Sequence, residues 1–242
     1  MAVESKTLQN NKITQFILRI DIMPGSTVDF KKLAEALSTD YGTVRSELHV
    51  NYQVDMDKVE VNKEEFITYI LGKAPNSTLQ LNCFEKSIVL ISSYYNNNSV
   101  YKDKISKVIT LLKESHPELS ASRIGMRYIN TFPCAKPSDI GKYLILSEAS
   151  SIKDSLKRDN ISRSILVHEY QHGDYQVRIQ CGIPNKFYPS VIKNYDLVLD
   201  IDVYGGGAQP IERWEDSIRD YNHGAYDYFI AYVKPNLLNE MQ

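Results

Sequence analysis

Short turns between segments of alternating polarity constrain the fold of this chain more than any other feature. Residues 45–54 alternate, with Leu48, Val50 and Tyr52 set between polar residues, and residues 77–95 and 161–182 are typical of hairpins. Tight turns join antiparallel strands, whereas parallel strands need long crossovers that usually contain a helix. The sequence therefore predicts a large, mainly antiparallel sheet.

Other segments complete the predicted set of strands and helices. Enrichment in β-branched residues predicts strands at 13–22, 59–71, 122–132 and 196–204. Apolar residues at helical spacing predict helices at 28–37, 100–116 and 211–233, and residues 138–158 are typical of short polar helices. This order of elements indicates the α+β class, with helices packed on one face of the sheet and a long C-terminal helix.

The domain organisation follows from length and from one polar stretch. A chain of 242 residues fits a single α+β domain over residues 1–242. An alternative division gives two halves, 13–132 and 161–242, joined by a polar helical linker.

Composition excludes several classes of protein. The net charge of −2 gives no general attraction to nucleic acid, so nucleic acid is not indicated as a partner. No apolar run approaches the roughly 20 residues of a membrane helix, and the polar N-terminus lacks a signal-peptide core. The three cysteines form no C-x-x-C pair. We therefore predict a cytoplasmic protein with no membrane association, no cofactor and no metal.

The strand at 122–132 carries the least ordinary chemistry. Because alternate residues of a strand face opposite sides, Arg123, Gly125 and Arg127 lie on one face and apolar residues on the other. Two guanidiniums that flank a residue without a side chain outline a slot for an anion or a pair of carboxylates.

Polar residues on other predicted strands match this pattern. Asp200 and Asp202 share one face of the strand at 196–204, and Arg178 occupies an alternate position of the hairpin at 161–182. We call the resulting surface the Arg/Asp face and define it by Arg19, Asp21, Arg123, Arg127, Arg178, Asp200 and Asp202. It is either a solvated lattice of ion pairs or a site that recognises a charged ligand or a protein partner. Asp200 and Asp202 could also hold a divalent ion for hydrolysis, with Arg123 and Arg127 as electrophilic clamps.

A zincin-like motif occurs at residues 168–172. His168-Glu169-Tyr170-Gln171-His172 spells H-E-x-x-H, which binds zinc only on a helix, where both imidazoles share one side. The β-branched neighbours and the following Gly173-Asp174 turn instead indicate a strand, on which the two histidines would lie ~13 Å apart. The zinc interpretation is the weakest of the candidate chemistries.

A glycine run and a helical stripe each allow two interpretations. Gly205-Gly206-Gly207 lacks the flanking residues of a phosphate loop, so a flexible connection between strand and helix is favoured. The apolar stripe of the C-terminal helix predicts either a homodimer seam or contact with the protein's own sheet.

One octapeptide is similar to a family hallmark. The sequence Arg123 to Asn130, RIGMRYIN, resembles the R-I-G-L-R-Y-I-N hallmark of a sporadically distributed prokaryotic family of similar chain length, with Met126 in place of leucine. The ILRIDI strand, the YKDKISKVITLLKE helix and the LDIDV strand are similar in order and spacing. The resemblance implies horizontal transfer, as in defence or toxin–antitoxin cassettes, and implies no particular activity.

These features together predict function only by class. No catalytic constellation is recognisable by spacing, so no catalytic residues are assigned. We therefore expect a non-enzymatic recognition or regulatory protein, part of a prokaryotic defence or mobile-element cassette. It would bind a protein partner or charged ligand through Arg123, Arg127, Arg178, Asp200 and Asp202. The alternative is a metal-dependent hydrolase or nuclease that uses the same aspartates.

Overall fold

Nine strands form a single sheet in the computed structural model, and every neighbouring pair is antiparallel. The structure describes residues 10–42, 44–55, 60–72, 77–95, 99–158 and 160–241. The strands are β1 Ile13–Ile22, β2 Val44–Asp55, β3 Glu60–Leu71, β4 Ser77–Asn82, β5 Ser87–Ser92, β6 Ser120–Phe132, β7 Ser164–His172, β8 Tyr175–Ile183 and β9 Leu197–Pro210. Their order across the sheet is β2-β3-β4-β5-β1-β6-β9-β8-β7. The predicted antiparallel sheet is confirmed.

The helices lie on one face of this sheet, which confirms the predicted α+β class. They are α1 Phe30–Tyr41, α2 Ser99–Ser115, α3 Ile140–Tyr143, α4 Leu146–Leu156, α5 Trp214–Tyr232 and α6 Pro235–Met241. Asp29 caps the start of α1 by accepting a hydrogen bond from the backbone N–H of Lys32 at 3.0 Å, and Gly42, whose φ is +80°, caps its C-terminal end. No helix among the described residues is long and apolar enough to cross a lipid bilayer.

The core lies between the sheet and the helices, and β1 shows why. Phe16, Leu18 and Ile20 are buried, whereas the alternating residues Ile17 and Arg19 are only half-buried on the opposite face. The Phe16 ring contacts the rings of three tyrosines from α2, β6 and the loop after β5: Tyr95, Tyr101 and Tyr128. Alternation along the strand thus separates an apolar face from a polar one.

The apolar stripe of α5 packs on the protein's own sheet. The buried residues of this helix are Trp214, Ile218, Tyr221, Gly224, Ala225, Phe229 and Tyr232. Gly224 marks a close approach, because a Cβ at this position would lie 2.6 Å from the hydroxyl of Tyr175 on β8. The core-contact interpretation therefore describes this stripe. A homodimer through α5 would have to use its outer face, and it stays a prediction.

Both segments of the alternative two-half division contribute strands to the same sheet. β6 from the first segment pairs with β9 from the second along almost its whole length, from Ser120 to Phe132. The polar stretch between them forms a 3-10 turn at Pro137–Asp139 together with α3 and α4. The pairing of β6 with β9 brings Arg123 and Arg127 close to Asp200 and Asp202.

Candidate functional site

The Arg/Asp face lies on the sheet surface opposite the helices. In the register of the sheet, Asp202 on β9 lies directly opposite Arg178 on β8 on one side and directly opposite Arg127 on β6 on the other. Arg123 lies further along β6, where it pairs with Asp21 of β1. The five residues predicted as a site therefore belong to one continuous surface of three neighbouring strands.

Arg127 and Asp200 form the strongest ion pair of this surface. The Arg127 Nε donates to Asp200 Oδ1 at 2.8 Å and Nη2 donates to Oδ2 at 2.5 Å, so both carboxylate oxygens are engaged. Asp200 is only 6% exposed, and the hydrogen bond to its carboxylate is the main reason why the pKa of Arg127 is raised. A divalent ion held by Asp200 and Asp202 would first have to displace Arg127 from this bidentate pair.

Arg123 is held by weaker contacts. Its guanidinium stacks over the Tyr204 ring at 4.6 Å, while its Nη2 lies 3.7 Å from Asp202 Oδ2 and its Nη1 lies 3.9 Å from Asp21 Oδ2. These distances are too long for hydrogen bonds. The guanidinium therefore has opposite charge beside it, and it keeps N–H donors that no described residue engages in a hydrogen bond.

Gly125 accommodates the stacked pair. A Cβ at this position would lie 3.1 Å from Tyr204 Cβ and 3.5 Å from Arg123 Nη2. The slot that the sequence outlines between two arginines is therefore occupied by the protein's own Tyr204 and Arg123. Absence of a side chain at Gly125 is what allows the arginine to lie along the tyrosine.

Asp202 is the least satisfied carboxylate of the Arg/Asp face. Among the described residues it accepts no hydrogen bond, and its closest cation is Arg123. Burial raises its pKa, an effect that Arg123 and Arg127 partly offset and that the Asp200 carboxylate reinforces. The ionised form is thus less stable in the folded protein than in the unfolded chain.

Replacing Asp202 with asparagine is therefore expected to raise the melting temperature slightly at pH 7. The pKa of Asp202 in the folded protein lies above its unfolded value of about 3.9. Ionisation of Asp202 therefore lowers the free energy of unfolding as the pH rises through these two values. Asparagine does not ionise, so the variant avoids this loss. The gain should vanish near pH 3, where the carboxyl group is protonated in both states. Thermal unfolding of wild type and Asp202→Asn across this range measures the difference. A lower melting temperature for Asp202→Asn at pH 7 would contradict the expectation.

Two carboxylates at the rim of the Arg/Asp face, those of Glu85 and Glu169, were not included in the predicted site. Arg19 binds Asp21 at 2.6 Å and Glu85 at 3.0 Å, and Arg178 binds Glu169 at 3.4 Å. Glu85 lies in the turn between β4 and β5, so strand alternation gave no signal for it. Glu169 could have been found, because it faces Arg178 across the hairpin of β7 and β8.

The H-E-x-x-H motif lies on β7, as the surrounding residues predict. The Nδ1 of His168 is 2.5 Å from the Tyr232 hydroxyl, which is also 3.1 Å from the Tyr170 hydroxyl, while the His172 ring packs on Tyr175. Over the described ranges, no group of three or more His, Cys, Asp or Glu residues is placed to hold a metal. His168 thus takes part in a contact between β7 and α5.

The glycine run lies inside β9, so its prediction as a flexible connection is wrong. The strand continues to Pro210, and the pairing with β6 shifts register between Ala121 and Arg123, opposite the glycines. Gly205 is required by packing, since a Cβ there would lie 2.1 Å from the hydroxyl of Tyr221 on α5. A tertiary contact, which local sequence does not reveal, explains this glycine.

Comparison of the chain with models of protein families and with curated protein sequences found no match. The resemblance to the prokaryotic family with the R-I-G-L-R-Y-I-N hallmark therefore stays a prediction. Function has to be argued from the geometry of the Arg/Asp face.

Proposed function

We propose that this is a non-enzymatic recognition protein that binds a protein partner through its Arg/Asp face. The observation that carries the proposal is the central pair of Arg123 and Asp202. Their charged atoms lie 3.7 Å apart, both side chains are about one-quarter to one-third exposed, and neither makes a hydrogen bond among the described residues. A partner that supplies a carboxylate to Arg123 and a donor to Asp202 would complete both groups.

The surroundings of this pair favour a protein over a small anion. Two carboxylates, from Asp21 and Asp202, lie within 4 Å of the Arg123 guanidinium, so a free anion that brings no hydrogen-bond donor for them would be repelled, whereas a protein partner can supply a carboxylate and a donor together. Half-buried aliphatic residues adjoin the charged strands. Ile17 on β1 lies directly opposite Arg127 on β6, and Ile91 on β5 lies opposite Ile17 on its other side. Arginine, an aromatic ring and aliphatic side chains on one surface are typical of the central part of protein interfaces.

Fixed geometry supports recognition as well. Arg127 is held by both oxygens of Asp200, and Arg123 is held by stacking on Tyr204, so little side-chain freedom is lost when a partner binds. Burial disfavours the ionised form of Asp202, which lowers the stability of the folded protein. Residues that serve binding often carry such a cost in stability, so this property supports a binding role for Asp202.

The biological setting of the proposal rests on the family resemblance alone. We propose that the partner is encoded beside this protein in a prokaryotic defence or mobile-element cassette. Products of the neighbouring genes are therefore the first candidates to test.

Substitution of Arg123 by alanine should weaken partner binding by about 2 kcal/mol, roughly 30-fold in Kd, if Arg123 is a central contact. Isothermal titration calorimetry with each purified neighbouring gene product measures this change. Arg219→Ala is the matched control, because Arg219 is an exposed arginine on α5 whose ion-pair partners among the described residues belong to its own helix. The proposal fails if no neighbouring product binds, or if Arg123→Ala and Arg219→Ala bind as well as wild type.

A further inference from the structure

The hairpin of β2 and β3 extends beyond the rest of the sheet. β4 pairs with β3 only from Thr68 to Leu71, whereas β2 pairs with β3 along all of its residues from Val44 to Asp55. Beyond Thr68 the neighbouring segment adds one backbone hydrogen bond, from the N–H of Cys83 to the carbonyl of Ile67 at 3.1 Å. We call residues 48–55 of β2 and 60–67 of β3 the hairpin arm.

The hairpin arm exposes large apolar side chains on one face. Leu48 is 62% exposed, Tyr52 is 61% exposed and Val50, between them, is 39% exposed. These residues alternate along β2 and share the side of the sheet on which the helices lie, since Val44 on the same side pairs with the core residue Leu71. The described residues place no third layer or strand over these side chains, and a two-stranded hairpin by itself is only marginally stable in water.

β2 is also an edge strand, and no described residue pairs with its outer backbone edge. It has β3 on one side and ends the sheet on the other. An edge of twelve residues without proline offers a row of N–H and C=O groups to another strand. Exposed apolar side chains beside such an edge favour addition of a strand over binding of a small molecule.

The sequence of β2 is complementary to itself in one antiparallel register. A two-fold axis perpendicular to the sheet keeps the helices of both copies on one side. Each residue on the apolar face of one β2 must then lie opposite a residue on the apolar face of the other. With Val50 on the axis, Leu48 lies opposite Tyr52 of the second copy, and Val50 lies opposite Val50. The same register sets Arg45 opposite Asp55, which are residues of opposite charge. Moving the axis to residue 51 would instead set Glu47 opposite Asp55, two like charges.

We propose that two copies of this chain associate through β2, antiparallel and centred on Val50, into a continuous sheet across both copies. The interface is at the opposite edge of the sheet from β7 and does not use the Arg/Asp face. The proposal therefore stands or falls separately from the proposed partner binding.

The other edge strand, β7, is less suited to this role. It is shorter, with nine residues, and its neighbour β8 is itself paired with β9 from Gln176 to Gly182, so no part of this hairpin extends far beyond the sheet. Its residues His168 and Tyr170 are tied to Tyr232 of α5, so this edge is held within the protein's own layers. Val167 on β7 is 47% exposed and thus provides a matched valine for a control.

Sedimentation velocity over a range of concentrations tests the association. Wild type should sediment as a species of twice the chain mass of 27.7 kDa. Val50→Lys places two lysines opposite each other at the two-fold axis and should return the protein to a single-chain mass, whereas Val167→Lys should leave the dimer intact. A wild-type protein that stays a single chain at 100 µM, or a dimer lost in Val167→Lys but kept in Val50→Lys, would overturn the proposal.

Disulfide crosslinking provides a second readout that does not require a destabilising charge. In a Cys83→Ser background, which removes the half-exposed native thiol, Val50→Cys should form a covalent dimer upon mild oxidation. Val167→Cys in the same background should stay a single chain. Equal crosslinking of the two variants, or none at residue 50, would count against the register centred on Val50.

Discussion

Replacing Arg127 with methionine is expected to lower the free energy of unfolding by about 3 kcal/mol. The substitution leaves the carboxylate of Asp200, which is 6% exposed, without the guanidinium that engages both of its oxygens. Removal of one partner from a buried ion pair is strongly destabilising, because the remaining charge stays desolvated. Partial exposure of Arg127 places the expected loss at the lower end of the range for buried pairs. Urea unfolding followed by circular dichroism measures the change.

Two further variants separate loss of the ion pair from loss of packing. Arg127→Met combined with Asp200→Leu should recover most of the stability, because an apolar pair replaces the buried charge. Arg178→Met is the matched control on the next strand but one, since Arg178 and its partner Glu169 are both well exposed, and it should cost less than about 0.5 kcal/mol. If Arg178→Met were as unstable as Arg127→Met, the bidentate pair would not be the cause.

The substitution Gly182→Ala should have a comparable or larger effect, with a loss of about 3 kcal/mol or more. The φ of Gly182 is +153°, and a Cβ at this position would lie 2.0 Å from the carbonyl oxygen of Ser164 and 2.8 Å from the Cα of Ile165. Both of these atoms belong to the backbone of β7, so relief of the clash requires β7 and β8 to separate. Thermal and urea unfolding of the purified variant test the expectation.

Gly173 provides the control for this substitution within the same hairpin. Its φ is +57°, but a Cβ there would meet no atom within 4 Å. Gly173→Ala should therefore show only the conformational cost of a left-handed residue, about 1 kcal/mol. If Gly182→Ala does not accumulate as folded protein while Gly173→Ala does, the clash is confirmed. Equal stability of the two variants would contradict it.

Alternation along the strands was sufficient to predict the polar surface but not the pairs within it. Arg123, Arg127, Asp200 and Asp202 were placed on one face, since a residue's side of the sheet follows from its position in the strand. A lattice of ion pairs leaves the partner of Arg127 open, and in the structure Arg127 binds Asp200 and not Asp202, which lies directly opposite. Long side chains lean along the strand, and their choice of partner depends on the three-dimensional surroundings.

Elements whose role depends on distant contacts could not be predicted. The glycines at 205–207 are typical of a loop by local preference, but they lie in β9, and at position 205 the Tyr221 hydroxyl of α5 fills the space that a side chain would need. Leu48, Val50 and Tyr52 alternate with polar residues, and this pattern is typical of a half-buried strand, yet the structure leaves all three side chains exposed. Alternation of polarity along a strand indicates which residues share a face of the sheet. It does not indicate whether another part of the protein covers that face.

The position of β1 sets an order in which the sheet can be completed. This strand is the first of the nine to leave the ribosome, yet its two neighbours are β5 and β6, and its contact with β6 joins residues more than 100 positions apart, as between Thr14 and Ile129. Pairings of such long sequence separation close slowly. β1 must therefore wait through the synthesis of β2 to β5 before either edge is sealed, and a nascent chain arrested before residue 120 leaves the edge that β6 will occupy open to chaperones or to aggregation.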